Sequence, residues 1–218
     1  MIYSQKIKEI FLFLLVSTTM NCVCQTRSDT IVAKFAEIES AFEKNVQIFT
    51  HSLIENDVTL YCLFEQRSLG YSFGFTTEQF RKSPCCCIEP RTIYFFWLAD
   101  DKTFGKRFDY CGNSVAVDLG EIDLWQFYFG DKKRFESEKT KLFTYYDQSK
   151  EKSLSIVRHD GISWEFSIVD AKTNLVKKFN ELDILKESDG KTNLNFEYNI
   201  SLKSKRMLDV LLELSKEL

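Results

Sequence analysis

Residues that break or bend a backbone are scarce in this chain: two Pro and eight Gly among 218 residues. That excludes a Pro-rich linker, a collagen-like repeat and a Gly/Ser spacer. There are only two histidines, His51 and His159. His51 falls inside a helical pattern beside Phe49 and Leu53, and His159 sits at a turn before Asp160. Neither position reads as a general base, which needs a shaped and oriented site. His-Glu-x-x-His, Gly-x-Gly-x-x-Gly and the P-loop pattern are all missing, which argues against zinc-protease, dinucleotide and nucleotide chemistry. No cofactor and no metal are expected. Long apolar runs are lacking too. Residues 10–16 (IFLFLLV) form the most apolar stretch, far short of the roughly 20 residues a bilayer span needs.

That short run has a telling position. Lys6 and Lys8 precede it, and a small polar stretch follows, down to Asn21-Cys22-Val23-Cys24-Gln25. A positive n-region, an apolar h-region and a cleavable stretch are the layout of a secretory signal. The expectation is a signal peptide over residues 1–24 and a single domain over 25–218. Two processing routes fit. Cleavage after Cys24 leaves Gln25 as the new N-terminus. Lipidation of Cys22 instead gives a membrane-anchored lipoprotein, although Asn21 is a poor neighbour for it. Either route exports the domain to a periplasmic or extracellular space, where disulfides are permitted. The membrane is expected to be met only through the signal or a lipid anchor.

Removing residues 1–24 takes away Lys6, Lys8 and Glu9, so the formal net charge of −3 becomes one unit more negative. A mildly acidic chain lacks the basic stripe of a nucleic-acid binder. Aromatics are abundant: twenty Phe, nine Tyr and three Trp. They supply core material, at about 1.5–3 kcal/mol for each buried Phe, or an exposed binding face.

Five of the seven cysteines lie beyond Cys24: Cys62, Cys85, Cys86, Cys87 and Cys111. In an extended segment Cys85 and Cys87 share one face and Cys86 takes the other. The triplet can then staple two neighbours, and Cys62 and Cys111 are the available partners. Two disulfides are expected, each contributing roughly 2–4 kcal/mol, with the connectivity left open. No Cys-x-x-Cys spacing or flanking His supports a metal site.

Ile31, Phe35, Ile38, Phe42, Val46, Phe49 and Leu53 recur at steps of three and four, which predicts an amphipathic helix over 29–55. Strands are expected at 58–65, 71–75, 91–98, 114–119, 122–129 and 141–146, from their β-branched and aromatic content. The polar stretch 130–141 reads as a loop or a charged helical turn. Residues 153–169 read as a hairpin turning at His159-Asp160-Gly161. A helix is expected over 174–186, an alternating strand over 194–202 and a closing helix over 203–218. The fold class is α+β: an N-terminal amphipathic helix, a large antiparallel sheet of hairpins and a C-terminal helix.

The leading functional expectation is an exported, non-enzymatic binding or interaction protein. Trp97, Trp125, Tyr128 and Trp164 are its candidate ligand-binding aromatics. A second is a carboxylate-dependent hydrolase of an envelope or extracellular glycan, using Asp118, Glu121 and Asp123 around Gly120. Asp100 and Asp101 form another acidic pair. A third is an envelope-assembly subunit or lipoprotein, docking a protein partner through its first helix. Asn199-Ile200-Ser201 is a glycosylation sequon in a eukaryote.

Overall fold

A computed structural model describes residues 33–69, 91–157, 160–171 and 173–218. The chain divides into two compact units, Met1–Glu43 and Lys44–Leu218. In the first, the described residues 33–43 are helical, with Phe42 buried and Phe35 and Ile38 half-buried. They begin helix α1, residues 33–55, whose remainder belongs to the second unit. There Val46 and Leu53 are buried, as the three- and four-residue spacing predicts. Phe49 sets its ring 5.0 Å from Phe95, 5.5 Å from Trp97 and 5.4 Å from Phe108. The helix stops at Asp57, which takes φ of +56°. Asp57 N–H donates to Ile54 O and Val58 N–H to Leu53 O, a Schellman closure built on Asp instead of Gly.

The second unit is built on a seven-stranded antiparallel sheet. Its strands are β1 (Leu60–Leu69), β2 (Arg91–Ala99), β3 (Lys102–Asp109), β4 (Gly112–Asn113), β5 (Val117–Gly120), β8 (Gly161–Asp170) and β9 (Thr173–Asn180). Their order is β4-β3-β2-β1-β8-β9, with β5 also on β3. Between β5 and β8 come helices α2 (Leu124–Phe129) and α3 (Lys132–Ser137), then a separate hairpin, β6 (Thr144–Asp147) with β7 (Lys152–Ser155). After β9 follow a 3-10 turn (Glu181–Ile184), the hairpin β10 (Glu187–Ser188) and β11 (Lys191–Thr192), α4 (Phe196–Ile200), α5 (Lys203–Leu214) and a last 3-10 turn, Ser215–Glu217. The fold is α+β, with helices at both ends of the described chain and strands between.

Strand alternation divides the aromatics between two faces. Ile93, Phe95 and Trp97 of β2 share the face that carries Phe49 of α1. The other face carries Cys62, Phe64, Phe96, Phe166, Ile168 and Phe179, packed with Leu124 and Tyr128 of α2 and with Met207, Leu208 and Leu211 of α5. The N-terminus of α5 is closed by a distant carboxylate. Glu138, itself buried, accepts from Lys203 N–H, Ser204 N–H and Ser204 Oγ at 2.9–3.0 Å. An acceptor there satisfies orphan amides and complements the helix dipole.

Several expected elements change type or partner. Residues 124–129 are helical, not strand, because Leu124, Trp125 and Tyr128 all face the core at helical spacing. The stretch expected as a helix over 174–186 is mostly β9, paired along β8 from Asp170↔Thr173 to Ser163↔Asn180. The alternating stretch 194–202 contains α4, with Leu194, Tyr198 and Ile200 exposed. The hairpin expected over 153–169 does not form: β7 pairs β6, and Gly161 opens β8 in a different sheet. The expected strand 71–75 and His159 lie outside the described residues. Strand β3 carries no strand expectation in the sequence. It turns back from β2 through Asp100 and Asp101, both at positive φ, so that acidic pair makes the two-residue turn that normally selects Asn-Gly or Asp-Gly.

The cysteines are also redistributed. Cys62 is a free thiol with no exposure, and burial pushes its pKa up. The expected Cys62 bridge is therefore absent, because its side chain points into the aromatic core at β1. Cys111, exposed between β3 and β4, is disulfide-bonded. Cys22, Cys85, Cys86 and Cys87 lie outside the described residues.

Candidate functional site: a cleft between two hairpins

The four candidate aromatics do not line one surface. Trp125 is 6% exposed and donates its indole N–H to Thr103 Oγ1 at 3.2 Å. Tyr128 is fully buried, and its hydroxyl donates to Asp170 Oδ2 at 3.2 Å. Trp164 is 9% exposed, and its indole N–H has no partner among the described residues. These three belong to the core between sheet and helices. Trp97 is half-buried on the α1 face, stacked 5.6 Å from Phe104. Their polar atoms are mostly engaged in holding the core, as buried Tyr and Trp require.

The candidate carboxylates are surface groups in local contacts. Asp118 accepts from Lys102 Nζ at 3.0 Å and from Gly120 N–H at 2.8 Å. The Lys102 hydrogen bond, reinforced by Gly120, holds its carboxyl below the usual range. Asp123 accepts from Gln126 Nε2 at 2.6 Å, and Glu121 is exposed. His51 is exposed too, its Nε2 3.2 Å from Glu55. Among the described residues no group of three His, Cys, Asp or Glu could hold a metal ion. Asn199 is fully buried: its amide donates to Lys141 O at 2.8 Å and Asp183 O at 2.7 Å. That leaves no room for a glycan on the sequon in the folded chain.

Residues 70–74 read Gly-Tyr-Ser-Phe-Gly, the Gly-x-Ser-x-Gly spacing of a nucleophile elbow. That motif derives its meaning from a strand–turn–helix in an α/β-hydrolase sheet. Every pairing of the described sheet is antiparallel, and residues 70–74 lie outside the described residues. The spacing alone assigns no nucleophile.

A cleft opens elsewhere, between the hairpins β6–β7 and β10–β11. Tyr145, Tyr146, Asp147 and Gln148 form one wall, and Lys191 and Thr192 the other, around a volume of about 610 Å3. Ligand pockets commonly span roughly 300–1,000 Å3. Tyr146 is 54% exposed, a large aromatic surface for a residue on a short strand. Lys191 Nζ sits 4.3 Å from the Tyr145 ring centroid, within cation–π range.

Asparagine and aspartate side chains fix both walls. Asn193 is buried and donates to Asp183 O and Leu185 O, each at 3.0 Å. Its Oδ1 accepts from Asn195 N–H at 3.0 Å. Leu194 N–H donates to Thr144 O at 2.7 Å, tying the end of β11 to β6. Asn195 Nδ2 reaches Leu142 O at 2.9 Å. Buried Asp183 accepts from Phe143 N–H at 2.7 Å and from Asn180 Nδ2 at 3.0 Å. A fully satisfied polar network rigidifies the surface it supports.

The cleft lining carries one acidic side chain, Asp147, and one basic side chain, Lys191. Asp147 accepts from Ser149 Oγ at 2.7 Å and Ser149 N–H at 3.0 Å, with Lys150 Nζ 3.7 Å away. The Ser149 hydroxyl bond holds its carboxyl below the usual range, with Lys150 adding to it. Lys191 Nζ is placed over the Tyr145 ring instead.

Sequence reasoning passed over Tyr145, Tyr146 and Lys191. Two signals pointed there: the adjacent tyrosines before Asp147-Gln148-Ser149, and Lys191 directly after the Asp189-Gly190 turn. Compared with protein-family models, curated proteins and solved structures, the chain matches none.

Proposed function

We propose that this is an exported, non-enzymatic binding protein whose ligand face is the cleft between β6–β7 and β10–β11. The observation that carries the reading is the cleft itself: about 610 Å3, with an exposed tyrosine and polar side chains on walls pinned by buried asparagines. A pinned wall loses little freedom when a ligand arrives, which favours binding. Export rests on the order of charges and apolar residues in 1–24.

The test is a thermal-shift screen of saccharide, peptide and nucleotide panels against the wild-type protein and Tyr146→Ala. A ligand should raise the wild-type Tm, fail to raise that of the variant, and be recovered chemically unchanged. Turnover of the ligand, or stabilisation indifferent to Tyr146→Ala, would overturn the reading. Export has its own measurement, the intact mass from the native host. A chain starting at Gln25, or one acylated at Cys22, supports it. A chain retaining residues 1–24 refutes it.

A further inference from the structure

We infer that Asp189-Gly190 is a site of backbone modification, where Asp189 converts to isoaspartate with water as the only co-reactant. Asp-Gly occurs twice in the sequence, at 160–161 and 189–190. The chemistry is a ring closure. The Gly190 backbone nitrogen bonds to Asp189 Cγ, and its proton leaves with the carboxyl hydroxyl as one water. A five-membered succinimide results. A second water opens either imide carbonyl: one product is aspartate again, and the other is isoaspartate, whose main chain runs through the side-chain carbon. Glycine is the favourable successor, because no Cβ hinders the attacking nitrogen and the backbone rotates freely.

Three observations favour 189–190 over 160–161. The first is access. Asp189 and Gly190 are both exposed, and a Cβ on Gly190 would meet nothing within 4 Å. The second is weak restraint. The two residues form a turn at φ of +51° and +70°, closing a hairpin whose pairs are Glu187↔Thr192 and Ser188↔Lys191. Bringing Cγ onto the nitrogen requires that turn to open, and so short a hairpin opens locally at low cost. Asn193 N–H donates to Lys186 O at 2.9 Å just outside the pairs, so the opening stops there. The third is the contrast with Gly161, which begins β8 in the long ladder from Leu60↔Asp170 to Leu69↔Gly161. A Cβ on Gly161 would lie 3.3 Å from Glu181 Oε2, and the same oxygen accepts Ile162 N–H at 3.2 Å. Isoaspartate adds a backbone atom to the 189–190 turn and breaks the register of β10 with β11. Gly190, Lys191 and Thr192 line the cleft, so the modification ages the cleft wall and spares the large sheet.

The experiment ages the intact wild-type chain in neutral buffer at body temperature. Its peptides are then mapped by mass spectrometry with electron-transfer fragmentation, which separates isoaspartate from aspartate at equal mass. In the folded protein, isoaspartate at 189 should exceed that at 160 several-fold. In guanidinium chloride the two sites should converge, since each is then the same dipeptide in an open chain. Asp189→Glu, which keeps the charge and would need a six-membered ring, should accumulate no isomer at 189. Hydrogen exchange of the aged wild type should speed up over residues 187–193 and stay unchanged in β1 and β8. Equal or greater isoaspartate at 160 in the folded chain would overturn the assignment. So would none at 189 in the folded chain once both sites have formed it in guanidinium chloride. Unchanged exchange over 187–193 in a fraction shown to carry the isomer would overturn the consequence for the cleft wall.

Discussion

Two regions of the second unit hold together by different physics. The large sheet is held by aromatic burial: Phe64, Phe96, Phe166 and Phe179 are at most 1% exposed and pack with α2 and α5. The hairpin region is held by polar side chains aimed at backbone. Asp183, Asn193 and Asn199 are all buried, and together they satisfy amides and carbonyls of residues 141, 143, 183, 185 and 195. Apolar burial is non-directional and tolerates sliding. Hydrogen bonds of fixed geometry specify one arrangement of short strands that have little apolar surface to bury. The cleft lies over the second kind of support.

The strongest way to break the comparison is to cut the aromatic core. Phe166→Ala should cost about 3–5 kcal/mol, read as a lower urea midpoint for the whole unit by circular dichroism. Asn199→Ala should cost less, roughly 1–3 kcal/mol, because it removes the partner of Lys141 N–H and Lys141 O and leaves Asp183 O to Asn193 alone. Its effect should be local. Hydrogen exchange should speed up around residues 141–144 with β1 and β2 unchanged; uniform acceleration across the sheet would show that the two supports are one.

A third test uses acid. Burial alone would raise the Glu65 carboxyl, but hydrogen bonds from Arg67 and Arg91 hold it below its usual value. A depressed folded pKa means the group stabilises above its unfolded value, about 4.3, and loses that contribution as pH falls through the folded value. Stability of the wild type should therefore decline on acidification below about pH 4.5. Glu65→Gln should be less stable at neutral pH and show a shallower decline. An acid limb unchanged in the variant would assign the decline to other carboxylates, of which Asp170, held low by Lys132, is the next candidate. The smallest stability effect belongs to the cleft surface. Tyr146→Ala should change stability by under about 0.5 kcal/mol, measured by the same urea titration, which is what makes it a usable probe of binding.

Much of the large sheet was legible from its residues. The stretches now seen as β1, β2 and β8 are rich in Phe, Tyr, Trp and Ile, and α5 repeats Met207, Leu208 and Leu211 on one face. β9 was hidden by Lys177, a charge at a core-facing position. Its ammonium is accommodated over the Phe135 ring and donates to Glu136 O and Glu138 O, so Leu175 and Phe179 read as helical steps. β3 was hidden by Gly105, where a Cβ would come 2.8 Å from Leu218 and 2.9 Å from Leu119 side-chain carbons. The alternation in 194–202 misled for the opposite reason. Its apolar residues are largely exposed, and the buried ones around them are Asn193, Asn199 and Leu202. Of the candidate site, the aromatic content was legible, but which aromatics face solvent was not. Trp125, Tyr128 and Trp164 look as suitable on paper as Tyr146.

The sequence by itself determined the α+β class, the amphipathic spacing of α1 and α5, the Asp-Gly turn at 189–190 and the surplus of aromatic core material. Those are local properties, set by side-chain period and turn chemistry. Tertiary structure decided which short apolar runs became helix or strand, which strands paired, and which of the aromatics and charges were left facing a cleft. Short runs carry nearly equal local preferences for helix and strand. The balance is tipped by partners far along the chain, such as Trp164 opposite Phe179, or Lys141 beneath Asn199.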